Sequence, residues 1–225
     1  MTNFKQIAGT VAGILSIFVI GLLFRQLLVL TSSGDNTQKS VVQLAKGISE
    51  TEKGNHKQSI EFYQNAINLD TTNVTACNCL GRAYYHLKQY GEAIEVLSKI
   101  PNPGHISLQY RADAYFAADN YSNAFIDYTE SIKQFPTAES YVGLASVLMK
   151  VNNLKESIVN YTKAIEMAPD SANYYFYRGK VHNLQGSYDN ALADFDKAIE
   201  LSPENIEYTS NKEFAAQLKK MGSIE

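Results

Sequence analysis

Four histidines, two cysteines and a few closely spaced carboxylates are the residues of this chain that could do chemistry. His56, His86, His105 and His182 are scattered along it, without the HExxH spacing that sets two imidazoles on one helical face for a metal. Cys77 and Cys79 stand two apart in a stretch with helical period, so they point to different faces and make no CxxC redox pair. Two cysteines in 225 residues make no disulfide framework either, and packing is their expected role. Asp194, Asp196 and Glu200 in "ALADFDKAIE" read as the solvated edge of a helix rather than as paired acids around a cleft. No glycine-rich phosphate loop exists, because the glycines are spread through the chain. Asn73, Asn120 and Asn160 open the triplets NVT, NYS and NYT, which match glycosylation acceptors but are too frequent in proteins to carry weight. No catalytic residue, metal or cofactor is expected, and the chain does not read as an enzyme.

With chemistry set aside, composition bounds the partners. The net charge is −3, and nonspecific nucleic-acid binding needs a basic surface, so no nucleic-acid partner is expected. The aromatics include 15 tyrosines and no tryptophan, and only 5 prolines interrupt the chain, so most of it can be helical.

Residues 7–30 read "IAGTVAGILSIFVIGLLFRQLLVL", uncharged as far as Phe24. At ~1.5 Å per residue the uncharged part spans ~27 Å and the whole stretch ~36 Å, bracketing a hydrocarbon core of ~30 Å. Arg25 sits where its stem can snorkel to the headgroups. A cleaved signal would have a shorter apolar region and a small-x-small site, which "LLVLTSSG" lacks. The expectation is a short tail (1–6), a transmembrane anchor (7–30) and a polar spacer (31–39). Lys5 and the α-amine on the short side tip the positive-inside balance, placing the rest of the chain on the non-cytoplasmic side of a single-pass membrane protein.

From residue 40 the chain repeats itself. Residues 81–95 read "GRAYYHLKQYGEAIE" and residues 179–193 read "GKVHNLQGSYDNALA". Apolar residues three and four apart, broken by Gly, Asn or Pro, give a helix-turn-helix rhythm. The copies fall at 40–73, 74–104, 105–137, 138–171 and 172–205. Their eighth residue is small (Gly47, Gly81, Ala112, Ala145, Gly179), and so is the twentieth (Ser59, Ala93, Ala124, Ser157, Ala191). The twenty-fourth is large: Tyr63, Leu97, Tyr128, Tyr161 and Phe195. Pro136, Pro169 and Pro203 stop second helices, since proline lacks the amide and clashes with the preceding turn. Small residues mark where the two backbones of a hairpin approach, and Tyr84 and Tyr115 fill space between hairpins. The second copy is shortened by Pro101, which ends its second helix early. After Pro203, Phe214, Leu218 and Met221 lie on one helical stripe, so residues 206–225 read as a capping helix and tail shielding the last repeat.

This pattern resembles the tetratricopeptide repeat (TPR) family, whose repeat is ~34 residues long. The resemblance implies an all-α, right-handed superhelical solenoid of about five hairpins over 40–205, preceded here by a transmembrane helix. It also implies that certain first-helix positions line a concave face that binds a protein or peptide segment. Carried onto this chain, those positions include Arg82, Tyr85, Tyr110, Asp113, Phe116, Phe176, Tyr177 and Lys180, and rigid aromatics among separated charges suit a peptide. Members that bind chaperone tails use a set of Lys, Asn and Arg, and no frame of this chain supplies it. From the third copy those positions hold Gln109, Asp113, Gly143, Asn173 and Tyr177, so capture of a chaperone C-terminal carboxylate is not expected. The function expected is a membrane-tethered interaction scaffold or assembly factor, or alternatively a structural subunit of a larger membrane-associated complex with no dedicated groove.

Overall fold

The computed structural model describes residues 35–222; the tail, the anchor at 7–30 and most of the spacer lie outside the described residues. Every regular element among the described residues is an α-helix: α1 (Asn36–Glu52), α2 (His56–Leu69), α3 (Val74–His86), α4 (Tyr90–Ser98), α5 (His105–Ala117), α6 (Tyr121–Gln134), α7 (Ala138–Lys150), α8 (Leu154–Met167), α9 (Ala172–Leu184), α10 (Tyr188–Leu201) and α11 (Ile206–Gly222). None of these is long and apolar enough to cross a membrane. The chain divides into two compact units, one ending at Val96 and the other beginning at Leu97, so the boundary falls inside α4.

Helix α1 begins inside the stretch read as a spacer. Those residues lack an apolar period but need none, because a first turn can be held locally. The Asp35 carbonyl accepts from the amides of Gln38 and Lys39 at 2.9 and 3.2 Å, and its carboxylate accepts from the Thr37 hydroxyl at 3.4 Å.

The turn inside each hairpin is built the same way five times. The amides of Asn55, Gln89, Asn120, Asn153 and Ser187 donate to the carbonyls of Glu50, Tyr84, Tyr115, Leu148 and His182 at 2.8–2.9 Å, closing each first helix with a six-to-one bond. That closure needs one residue in the left-handed region, and the residues there are Gly54, Lys88, Asp119, Asn152 and Gly186. Asp and Asn tolerate the conformation, whereas a lysine gains nothing from it. Lys88→Gly is therefore expected to stabilise the chain by ~0.5–1 kcal/mol, visible as a raised urea midpoint.

Second helices end on extended backbone. Phe135, Ala168 and Ser202 have φ of −154°, −141° and −148°, the region that a following proline imposes, and Pro136, Pro169 and Pro203 follow them. Helix α4 has 9 residues where α2, α6, α8 and α10 have 14, the shortening that Pro101 dictates.

Packing explains the small positions more closely than their spacing does. A Cβ on Gly47 would lie 2.4 Å from the Tyr63 ring, and one on Gly179 would lie 2.8 Å from the Phe195 ring. The eighth residue is small because the large twenty-fourth side chain lies across it. The twentieth residue packs against the first helix itself: Ser157 Oγ donates to the Ala145 carbonyl at 2.7 Å, and Ala93, Ala124 and Ala191 are fully buried. In the first unit Tyr63, Leu80 and Ala83 form the core, with Tyr84 packed against it. In the second, Ala112, Ala124, Tyr128, Leu144, Val147 and Leu148 join α5–α7, with Tyr115 against them.

Helix α11 covers α10 with a different face from the one its apolar stripe suggests. Tyr208 and Ala215 are the residues it buries, in a cluster with Phe176, Phe195 and Ala198. Phe214 and Met221 remain 54% and 66% exposed.

Candidate functional site

The eight residues read as a binding face are divided between the units. In the first unit, α3 carries Arg82 and Tyr85. Tyr85 is part-exposed and its ring meets His86 at 5.9 Å and Tyr90 at 5.6 Å. His86 in turn stacks on His56, with centroids 4.9 Å apart, a pairing that the separation of the two in sequence concealed. Burial, then the neighbouring His56 and Arg82, hold His86 below its ordinary pKa. A hollow of ≈440 Å³ in this unit is lined by Lys57, Ile60, Leu87 and Gln89, and none of the eight contributes to it.

In the second unit the face is built from α5, α7 and α9. Tyr110, Asp113 and Phe116 on α5 are half-buried. Phe116 packs against the α5–α7 core and meets Tyr121 at 5.7 Å. Beneath them lies a floor of rings from the second helices. Tyr128 is 2% exposed, and its hydroxyl donates to the Asp113 carboxylate. Tyr161, fully buried, shares a hydrogen bond with Ser146 at 2.9 Å. The first unit repeats the device in Tyr63 and Thr51, at 2.8 Å. Burial pushes the phenols of Tyr63 and Tyr161 up to about 12, so they remain neutral donors. Tyr161→Phe should cost ~1 kcal/mol, the usual net worth of a part-buried hydrogen bond, measured by urea denaturation.

On α9, Tyr177 stacks on Tyr161 at 6.2 Å and stays 37% exposed. Lys180 lies over the rings of Phe176 and Tyr177, 5.2 and 5.9 Å from their centroids. Phe176 itself is 2% exposed and belongs to the core with Phe195 and Tyr208, so it supports the face from below and offers nothing to a partner.

Asp194 departs most from its sequence reading. It is 6% exposed, and Arg178 donates to both of its oxygens at 2.9 and 2.7 Å. Asp127 is 4% exposed and holds Arg111 in the same way, at 2.7 and 2.8 Å. Each pair joins residues 16 apart, the same two register positions in the third and fifth repeats, and that recurrence was the available signal. Asp196, by contrast, is exposed and pairs with Lys212. The triplet asparagines also have structural work: Asn73 and Asn120 cap α3 and α6, and Asn160 is buried, donating to the Glu156 carbonyl at 2.8 Å. Burial raises both thiols, Cys77 and Cys79, as expected of packing residues. No group of His, Cys, Asp and Glu among the described residues could hold a metal.

His182 lies 3.9 Å from Asp194, its Nδ1 buried without a partner. Burial lowers its pKa; Asp194 opposes that, and Arg178 reinforces it. Below the ordinary histidine value of ~6.5 the unfolded chain takes up the proton more readily than the folded one. The contribution of His182 is therefore complete above that value and is lost as pH falls through the window down to the lower folded pKa. Urea midpoints measured from pH 7.5 downward should fall for the wild type and fall less for His182→Gln.

Helical hairpins of this register, stacked through small residues, are the build of an all-α helical-hairpin repeat. Residues 142–206 match the family description "Tetratricopeptide repeat", and residues 47–88 match "TPR repeat". Over these two stretches the chain is similar to tetratricopeptide-repeat proteins. It is similar to the Dictyostelium discoideum "DnaJ homolog subfamily C member 7 homolog", 25% identical over 171 residues that make 74% of this chain and 28% of that protein. It is also similar to the Arabidopsis thaliana "Hsp70-Hsp90 organizing protein 2", 30% identical over 98 residues, 43% of this chain and 17% of that one. The chain thus spans less than a third of either relative's length. Among solved structures it resembles YrrB, described as a TPR protein with an unusual peptide-binding site. The TM-score is 0.63 at 17% identity, covering 76% of this chain and 90% of YrrB, a likeness of fold.

Proposed function

We propose that this chain is a membrane-tethered scaffold or assembly factor that holds an extended protein segment on the first-helix face of residues 97–222. The observation that carries the reading is the set of part-exposed rings, Tyr110, Phe116 and Tyr177, standing on a floor of buried, hydrogen-bonded side chains. Rings already fixed lose little entropy on binding, so they make good anchors. The proposed anchor at 7–30 would raise the local concentration of the scaffold at the bilayer, with the repeats on the non-cytoplasmic side. One relative's name includes Hsp70 and Hsp90, which makes chaperones candidate partners. Recognition would then use something other than a C-terminal carboxylate, because Asp113, Gly143 and Tyr177 stand where that recognition requires amides and cations.

A structural-subunit reading draws on different residues. Phe135, Met167 and Ile206, at the ends of α6 and α8 and the start of α11, are 57%, 50% and 80% exposed. The two separate by affinity purification of the full chain from detergent-solubilised membranes. If the face binds, Tyr110→Ala/Phe116→Ala/Tyr177→Ala loses the co-purifying partner while Phe135→Ser/Met167→Ser keeps it. The opposite pattern overturns the scaffold reading. Protease accessibility of the repeats in sealed vesicles decides the side.

A further inference from the structure

We infer that the α9 end of this face, centred on Lys180, is an anchor for an acidic side chain of the bound segment. The inference rests on the peptide-binding reading above and adds the chemistry of the partner. In three repeats the large ring of the second helix carries a hydroxyl that returns to the first helix: Tyr63 to Thr51, Tyr128 to Asp113 and Tyr161 to Ser146. The fifth repeat breaks the series twice. Its ring is Phe195, which has no hydroxyl, and Lys180 takes the register position of Asp113 and Ser146.

The ammonium therefore stands over a floor that offers no acceptor. Its contacts are the faces of Phe176 and Tyr177, and no carboxylate among the described residues pairs with it. The other basic side chains of the α9–α10 hairpin are committed: Arg178 to Asp194 and Lys197 to Glu200. Ring faces attract a cation but leave its three N–H donors without acceptors. A part-buried ammonium held in that way gains most from an incoming carboxylate, which would make a charge-assisted hydrogen bond away from bulk water.

The surroundings fit the rest of an extended segment. Asn183, three residues along α9, has its amide oxygen buried and without a partner. Tyr177 and Phe214, 37% and 54% exposed, supply apolar surface, and Phe214 holds on α11 the register that Lys180 holds on α9. The segment that fits carries an Asp or Glu with an apolar residue close by, and a basic residue at the same point is rejected.

The test uses the full chain in detergent micelles and a phage-displayed library of random dodecapeptides. Selected peptides are synthesised with a fluorophore and titrated by anisotropy against the wild type, Lys180→Arg, Lys180→Gln, Lys180→Glu and Tyr110→Ala/Phe116→Ala, with circular dichroism confirming that each variant folds. Expected are peptides sharing an Asp or Glu, with affinity lowered about tenfold or more by Lys180→Gln and retained by Lys180→Arg. Binding should also return when Lys180→Glu meets a peptide whose acid is changed to lysine. Peptides that lose affinity to Tyr110→Ala/Phe116→Ala but bind Lys180→Gln as they bind the wild type would overturn the Lys180 anchor and leave the peptide-binding face standing. Peptides indifferent to both sets, or a library with no binder, would overturn both.

Discussion

Arg178→Met is expected to cost the chain ~3–5 kcal/mol, because it leaves the Asp194 carboxylate charged, 6% exposed and without its fork of two donors. Methionine keeps most of the apolar stem, so the loss reports the guanidinium, including its place 5.8 Å from the Tyr175 ring centroid, more than a cavity. Thr162 also loses the Arg178 donor at 3.0 Å, although its own hydroxyl still donates to the Ile158 carbonyl at 2.8 Å. Nothing nearby replaces the guanidinium: His182 is 3.9 Å away, and burial favours its neutral form. Removing both charges is a different experiment. Arg178→Met/Asp194→Leu should recover most of the loss, since an ion pair of this kind roughly breaks even against apolar packing. Urea denaturation of the four members of the cycle gives the coupling energy, and hydrogen exchange should show the weakening concentrated in α9, α10 and α11. A double variant as unstable as the single one would mean that the pair is not what holds α9 to α10 here.

That pair shows where the sequence was readable and where it was not. The prolines that stop second helices and the short α4 were legible because each follows from backbone chemistry: a missing amide and a fixed φ. The helical start at Asn36 was not, because a first turn held by its own cap leaves no apolar signature. Asp194 and Asp196 look alike in sequence, yet one is buried and one exposed, because the helical period places them 200° apart on α10. Only the matching Arg111 and Asp127, two repeats earlier in the same register, marked the buried one. Phe176 was misplaced for a related reason. Its register position was read as part of the binding face, but Tyr208 of α11 packs against its ring. Phe214 errs the other way: it lies on the stripe read as shielding the fifth repeat, yet it is 54% exposed while Tyr208 and Ala215 do the covering.

The floor beneath the proposed binding face supplies a prediction of opposite sign to the one that helix propensity alone would make. Gly143 lies in the middle of α7, where alanine is favoured over glycine by ~1 kcal/mol, so Gly143→Ala ought to stabilise. The structure says otherwise. A Cβ there would stand 2.3 Å from two carbons of the Tyr128 ring. That ring is 2% exposed and its hydroxyl is tied to Asp113, so it cannot swing aside without breaking the bond and opening the α5–α7 core. Overpacking of this kind costs ~1–3 kcal/mol, and the extra closeness puts Gly143→Ala near the upper end, a net destabilisation of ~2 kcal/mol after the propensity gain. Gly91, in the first turn of α4 with nothing within 4 Å of its Cβ, is the matched control and should stabilise on change to alanine by up to ~1 kcal/mol. In a Tyr128→Leu background the clash is relieved, and Gly143→Ala should change from harmful to neutral or stabilising. Urea midpoints for these variants decide the matter. Stabilisation by Gly143→Ala in the wild-type background would mean that the Tyr128 ring does not lie across α7, and the hydrogen-bonded floor proposed to support Tyr110 and Phe116 would go with it.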